Sequence, residues 1–130
     1  MPDALETELL QLNQRLLESI AAGDWTSYTQ LCDPTLSAFE PEGKGHLIEG
    51  LPFHHYYFEL GGIKGPHKTT MSSPHVRLLG QDAAVVSYVR LVQRLDSAGV
   101  PTVVASEETR VWQLIDGQWR HVHFHRSPLP

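Results

Sequence analysis

Ala83-Ala84-Val85-Val86-Ser87-Tyr88-Val89-Arg90-Leu91-Val92-Gln93-Arg94-Leu95 reads as one long β-strand, and it decides the fold. One alternating set holds Ala83, Val85, Val89 and Leu91; the other holds Ala84, Val86, Tyr88 and Val92, interrupted by Arg90 and Arg94. A strand with one face in water would carry one polar set. This strand therefore needs cover on both faces. Helices can supply one cover, and a partner subunit is expected to supply the other. Tyr88, Trp112 and the nearby histidines suit such an interface. The alternative is a strongly curved sheet that closes on itself.

Further strand-like segments flank it, at about His67 to Leu79, Thr102 to Ile115 and Gln118 to Arg126. Gly80-Gln81-Asp82, Ser97-Ala98-Gly99 and Asp116-Gly117 mark the turns between them. Long strands joined by short turns make an antiparallel meander. The chain before it is helical. Leu5, Leu9, Leu12, Leu16 and Ile20 recur at helical spacing, behind a capping Asp3 with Glu6 three residues on. Gly23 ends that helix. Asp24 caps a second helix through Leu31, stopped by Asp33-Pro34. Thr35 to Phe39 reads as a short strand. His46-Leu47-Ile48 reads as a brief extended piece, and Pro52 opens a third helix to Glu59. Helices first and a meander after give an α+β domain.

At 130 residues the chain has room for one domain, 1–130. With 41% hydrophobic and 19% charged residues it is an ordinary globular composition. The formal charge of −5 and only three lysines, Lys44, Lys64 and Lys68, argue against nucleic acid as a partner. No apolar run is long enough for a membrane helix. The acidic start, Met1 to Glu6, lacks the features of a secretory signal. The single cysteine, Cys32, excludes an internal disulfide. A cytoplasmic location is expected.

Arg90, Arg110 and Arg126 fall on three successive strands, each interrupting apolar sequence. A buried guanidinium needs a carboxylate, so Glu107, Glu108 or a bound ligand should meet them. Register decides whether they converge. A two-residue hairpin at Asp116-Gly117 pairs Ile115 with Gln118 and puts Arg110 and Arg126 on opposite faces. A bulge at Gly117 would bring them together. Strict alternation sets His121, His123 and His125 on one face, either as metal ligands or as cross-strand packing groups; no strong metal-binding spacing accompanies them. Asp24, Asp33, Tyr28, Tyr56, Tyr57, His54 and His55 are acid–base candidates, but nothing fixes a dyad.

Several blocks resemble one family. They are Gly23-Asp24-Trp25 with Tyr28, Cys32-Asp33-Pro34, Ala38-Phe39-Glu40-Pro41-Glu42, Phe53-His54 with Tyr57-Phe58-Glu59, and Pro74-His75. Ser106-Glu107-Glu108-Thr109-Arg110-Val111-Trp112, Asp116-Gly117 with Trp119, and Val122-His123-Phe124-His125-Arg126-Ser127 complete the set. From about Leu9 to Ser127 the chain resembles the association (hub) domain of calcium/calmodulin-dependent protein kinase II. The resemblance implies an NTF2-like cone, a curved antiparallel sheet wrapped around N-terminal helices. It implies homo-oligomers, at least dimers and up to a dodecamer or tetradecamer ring. It also implies a small-carboxylate pocket lined by Arg90, Arg110, Arg126 and His54, supported by Glu107, Glu108 and Tyr57. No cofactor and no metal is expected.

The chain has no kinase glycine-rich loop, HRD or DFG sequence. It is thus expected to be an excised hub or a stand-alone hub-like protein, without catalysis of its own. The competing function is a small NTF2-like (SnoaL-like) enzyme, an isomerase, dehydratase or hydrolase acting on an apolar carboxylic acid. A third is a carboxylate sensor, in which the ligand shifts the oligomer equilibrium.

Overall fold

The computed structural model describes residues 3–130; Met1 and Pro2, the start of the expected domain, lie outside the described residues. Asp3 caps α1 (Ala4–Ala22) by accepting the Glu6 N–H at 2.8 Å. Gly23, with φ +70°, closes the helix through bonds to the Ile20 and Ser19 carbonyls. Asp24 caps α2 (Trp25–Leu31) in the same way, accepting from Ser27 at 3.1 Å. β1 (Cys32–Phe39), a 3₁₀ turn (Pro41–Gly43), β2 (Ile48–Glu49) and α3 (Pro52–Glu59) follow. The meander is β3 (His67–Leu78), β4 (Ala83–Leu95), β5 (Pro101–Ile115) and β6 (Gln118–Pro128).

The six strands form one sheet in the order β2-β1-β6-β5-β4-β3. Among the described residues only the β1–β6 pairing is parallel. α2 ends at Leu31 as the sequence suggests, but β1 begins at Cys32, three residues earlier than expected, so Asp33-Pro34 already lies in extended chain. Asp33 to Leu36 fall where the β1–β6 register shifts. Pro34 therefore has no ladder bond to lose.

The helices cover one face of the sheet. Leu9, Leu16 and Leu17 of α1 and Tyr28 and Leu31 of α2 share a core with Leu36, Ala84, Val86, Trp112 and Phe124. Across β4–β5 the inward pairs are Ala84–Trp112, Val86–Arg110, Tyr88–Glu108 and Arg90–Ser106. Tyr88 and Trp112, expected at an intersubunit surface, belong to this interior; Trp112 is fully buried and donates to Asn13 Oδ1 at 3.0 Å. The outward set of β4, including Val85, Ser87, Val89 and Leu91, is half-buried in the single chain.

The hairpin at Asp116-Gly117 is the two-residue turn, with Ile115 opposite Gln118. The slip needed to gather the arginines occurs farther on. Trp112 faces His121, but Val111 faces His123, so Val122 is the extra residue. The bulge carries Phe124 and Arg126 to the inner face opposite Arg110 and Glu108. It also breaks up the expected three-histidine face. His121 is buried inside, whereas His123 and His125 lie outward. No cluster of three or more metal-ligating side chains occurs among the described residues, and no helix there is long and apolar enough to cross a membrane.

Candidate functional site: an arginine-lined pocket

A cavity of about 330 Å³ opens between the inner face of the sheet and the helices. Arg90, Arg110, Arg126, His54 and Tyr57 all line it. Ile20, Phe58, Val92 and Val104 supply apolar wall. Glu108 stands behind the arginines. Glu107 does not support this pocket, because alternation along β5 turns it outward, where it lines an open concavity with His123 and His125.

Glu108 is the hub of the polar core. Its Oε1 accepts from Tyr88 Oη at 2.7 Å and from Arg110 Nη2 at 3.0 Å. Its Oε2 accepts from Ser106 Oγ at 3.1 Å and lies 3.9 Å from Arg90 Nη1. Burial alone would push the Glu108 carboxyl up; the guanidiniums of Arg110 and Arg90 overcome that and hold it below its ordinary value. Burial pushes the Tyr88 phenol up to about 12, so it stays a donor. Arg110 is fully buried, donates to Tyr88 Oη at 2.9 Å, and lies 4.3 Å from the centre of the Phe124 ring.

Arg90 is treated differently. It donates from Nε to Thr69 Oγ1 at 3.1 Å, and among the described residues its one carboxylate neighbour is Glu108, at 3.9 Å. Burial lowers its pKa, as expected for a cation with too little countercharge. Two buried guanidiniums thus share one carboxylate.

The other two sequence-named groups hold acids that residue reading did not pair with them. Arg126 donates to both oxygens of Glu42, at 2.5 and 2.7 Å. His54 Nε2 meets Glu40 Oε1 at 3.1 Å, and its Nδ1 is buried without a partner. The signal was present in Glu40-Pro41-Glu42, two acids around a proline in a chain whose buried arginines needed acids.

His121 closes the network. Arg110 Nη1 approaches its Nε2 at 3.4 Å, and Cys32 Sγ lies 3.3 Å from its Nδ1. Arginine only donates, so Nε2 accepts and Nδ1 carries the proton toward sulfur. Burial and the Arg110 charge hold the His121 pKa well below 6.5. Burial likewise pushes the Cys32 thiol up to about 12, which makes it a core residue and not a nucleophile.

The unfolded chain protonates His121 near its ordinary value while the folded chain does not, so stability falls as pH drops below about 6.5. Denaturant midpoints measured from about pH 7.5 down to about pH 5 should fall, and His121→Gln should flatten the profile. His123, also depressed by burial and by His125, leaves a smaller residual slope. An unchanged slope in His121→Gln would remove His121 from this role.

Known proteins give the arrangement its context. Residues 5–130 match the family model described as the calcium/calmodulin dependent protein kinase II association domain. The delta subunit of calcium/calmodulin-dependent protein kinase type II from Oryctolagus cuniculus is 48% identical over 129 residues, covering 98% of this chain and 24% of that protein. The chain thus spans about a quarter of the length of that relative. The hub homology domain from Chlamydomonas reinhardtii is 49% identical, with a TM-score of 0.90, covering 98% of this chain and 100% of that one. An NTF2-like superfamily protein from Salmonella enterica, 23% identical with a TM-score of 0.77 over 97% of this chain and 92% of that one, shares the fold. Matched to the family model over residues 5–130, 48% identical to the delta subunit and alike in fold to the hub homology domain, the chain belongs to the calcium/calmodulin-dependent protein kinase II association (hub) domain family.

Proposed function

We propose that this chain is a self-assembly module without catalysis of its own, and that its arginine pocket takes a small carboxylate with an apolar body. The observation that carries the pocket reading is the charge count at Glu108. One buried carboxylate serves Arg110 fully and Arg90 only at 3.9 Å. Buried charge without compensation is costly, so an anion entering beside Arg90 is stabilised. Apolar walls and the unpartnered His54 Nδ1 favour a small organic acid over a hydrated inorganic anion. Self-assembly is supported by the family, and by the half-buried apolar set of β4 on the outer face.

Two measurements test the proposal. Native mass spectrometry should give a multiple of 14.6 kDa; a monomer at micromolar concentration would overturn the assembly half. Phenylacetate, an apolar monocarboxylate, should bind by calorimetry, and Arg90→Gln should weaken it about 10-fold or more. The fold should survive that change, because Glu108 keeps Arg110, Tyr88 and Ser106. Equal affinity in Arg90→Gln would place any binding elsewhere.

A further inference from the structure

The segment Glu40–Gly43 places two carboxylates on pocket residues, Glu40 on His54 and Glu42 on Arg126. With Glu108 behind the arginines, three internal acids therefore serve the groups that the pocket reading assigns to an external one. They are not equally fixed. Glu108 is fully buried at its carboxylate and bonded to Tyr88, Ser106 and Arg110. Glu40 is nearly buried, at 7% side-chain exposure. Glu42 is 36% exposed and Arg126 is 23% exposed. An ion pair of that exposure contributes little, though the two-oxygen contact strengthens it.

The backbone that carries Glu42 is held by local bonds. Its turn is closed by short-range bonds, Gly43 N–H to the Glu40 carbonyl, Lys44 N–H to Pro41 and His46 N–H to Gly43. Lys44 and Gly45 both sit at positive φ, +52° and +88°, and nothing lies within 4 Å of where a Gly45 side chain would begin. Among the side-chain bonds of the described residues, the Glu42–Arg126 pair is the one joining residues 41–47 to the sheet.

We propose that Glu40–Gly43 is a strap whose Glu42 is a tethered competitor for the pocket: it holds Arg126 until an incoming carboxylate displaces it. This rests on the pocket reading above and adds its regulation. In the closed state Glu42 satisfies Arg126; in the ligand-bound state the ligand does, and the strap is released. The apparent affinity is then reduced by the fraction of molecules with the strap closed.

Calorimetry with phenylacetate on the unaltered chain and on Glu42→Gln tests this, with hydrogen exchange of the 40–47 segment read in parallel. Glu42→Gln should bind about 2- to 10-fold more tightly. In the unaltered chain, saturating phenylacetate should speed exchange at the Gly43, Lys44 and His46 amides. Glu42→Asp, which cannot reach as far, serves if Glu42→Gln folds poorly and should also bind more tightly. Equal affinities with unchanged exchange would overturn the strap and leave the pocket intact. No binding by any of these chains would overturn the pocket reading itself, and the strap with it.

Discussion

Glu108→Gln should lower the unfolding free energy by about 3–5 kcal/mol, the usual cost of removing one partner of a buried ion pair. The carboxylate it removes is 2% exposed as a residue and serves two guanidiniums, a phenol and a hydroxyl. Glutamine keeps the shape but not the charge. Arg110, fully buried, would then face only Tyr88, His121 and the Phe124 ring. Arg110→Ala should be comparably damaging, since it strands the Glu108 charge. On sequence alone, Arg110→Ala would be expected to abolish carboxylate binding and leave a folded oligomer; the geometry makes Arg110 a structural cation first. Arg90, with its weaker tie, is the better probe of binding. Denaturant midpoints at fixed protomer concentration give the measurement, because assembly makes stability concentration-dependent. Glu108→Gln combined with Arg110→Ala should cost clearly less than the two single losses added. Strict additivity would mean that the pair does not act as a unit.

Most elements were legible in the sequence because their signals are local. Asp3, Gly23 and Asp24 name their own caps, Pro52 opens α3, and the turns of the meander carry glycine or aspartate. What was not legible depends on pairing between distant strands. The bulge at Val122 has no signature in His121-Val122-His123, where every residue suits a strand; it exists because the inner face must take both His121 and Phe124. A one-residue slip exchanges faces. That single event accounts for the dispersed histidines and for Arg126 sharing a face with Arg110. The parallel β1–β6 pairing was hidden for the same reason. In the site, the arginines and His54 were readable as apolar-strand interruptions and by resemblance. Glu42 was not paired with Arg126 because 84 residues separate them. Glu107 and Glu108 could not be told apart until register fixed which one faced inward.

Trp112→Ala should cost about 3–5 kcal/mol, and it separates two roles that the sequence left open for this residue. As an interface residue, Trp112 would be needed for assembly but not for the fold of one protomer. The structure puts it at 0% exposure, opposite Ala84 and His121, with its indole N–H on Asn13. Asn13 in turn donates to Met71 Sδ at 3.2 Å, so this α1 side chain ties the indole on β5 to Met71 on β3. Truncation leaves a cavity and an acceptor without its donor at once. Trp112→Phe, which keeps most of the volume and removes the N–H, should cost about 1–3 kcal/mol, the penalty of the unsatisfied amide. The two losses should appear in the unfolding midpoint and in reduced near-ultraviolet dichroism, whether or not the protein is assembled. A Trp112→Ala protein with an unchanged midpoint but a monomeric mass would return Trp112 to the interface and with it reverse the inner face of β5. That reversal would also turn Glu108 and Arg110 outward, so the tryptophan tests the placement of the whole polar network.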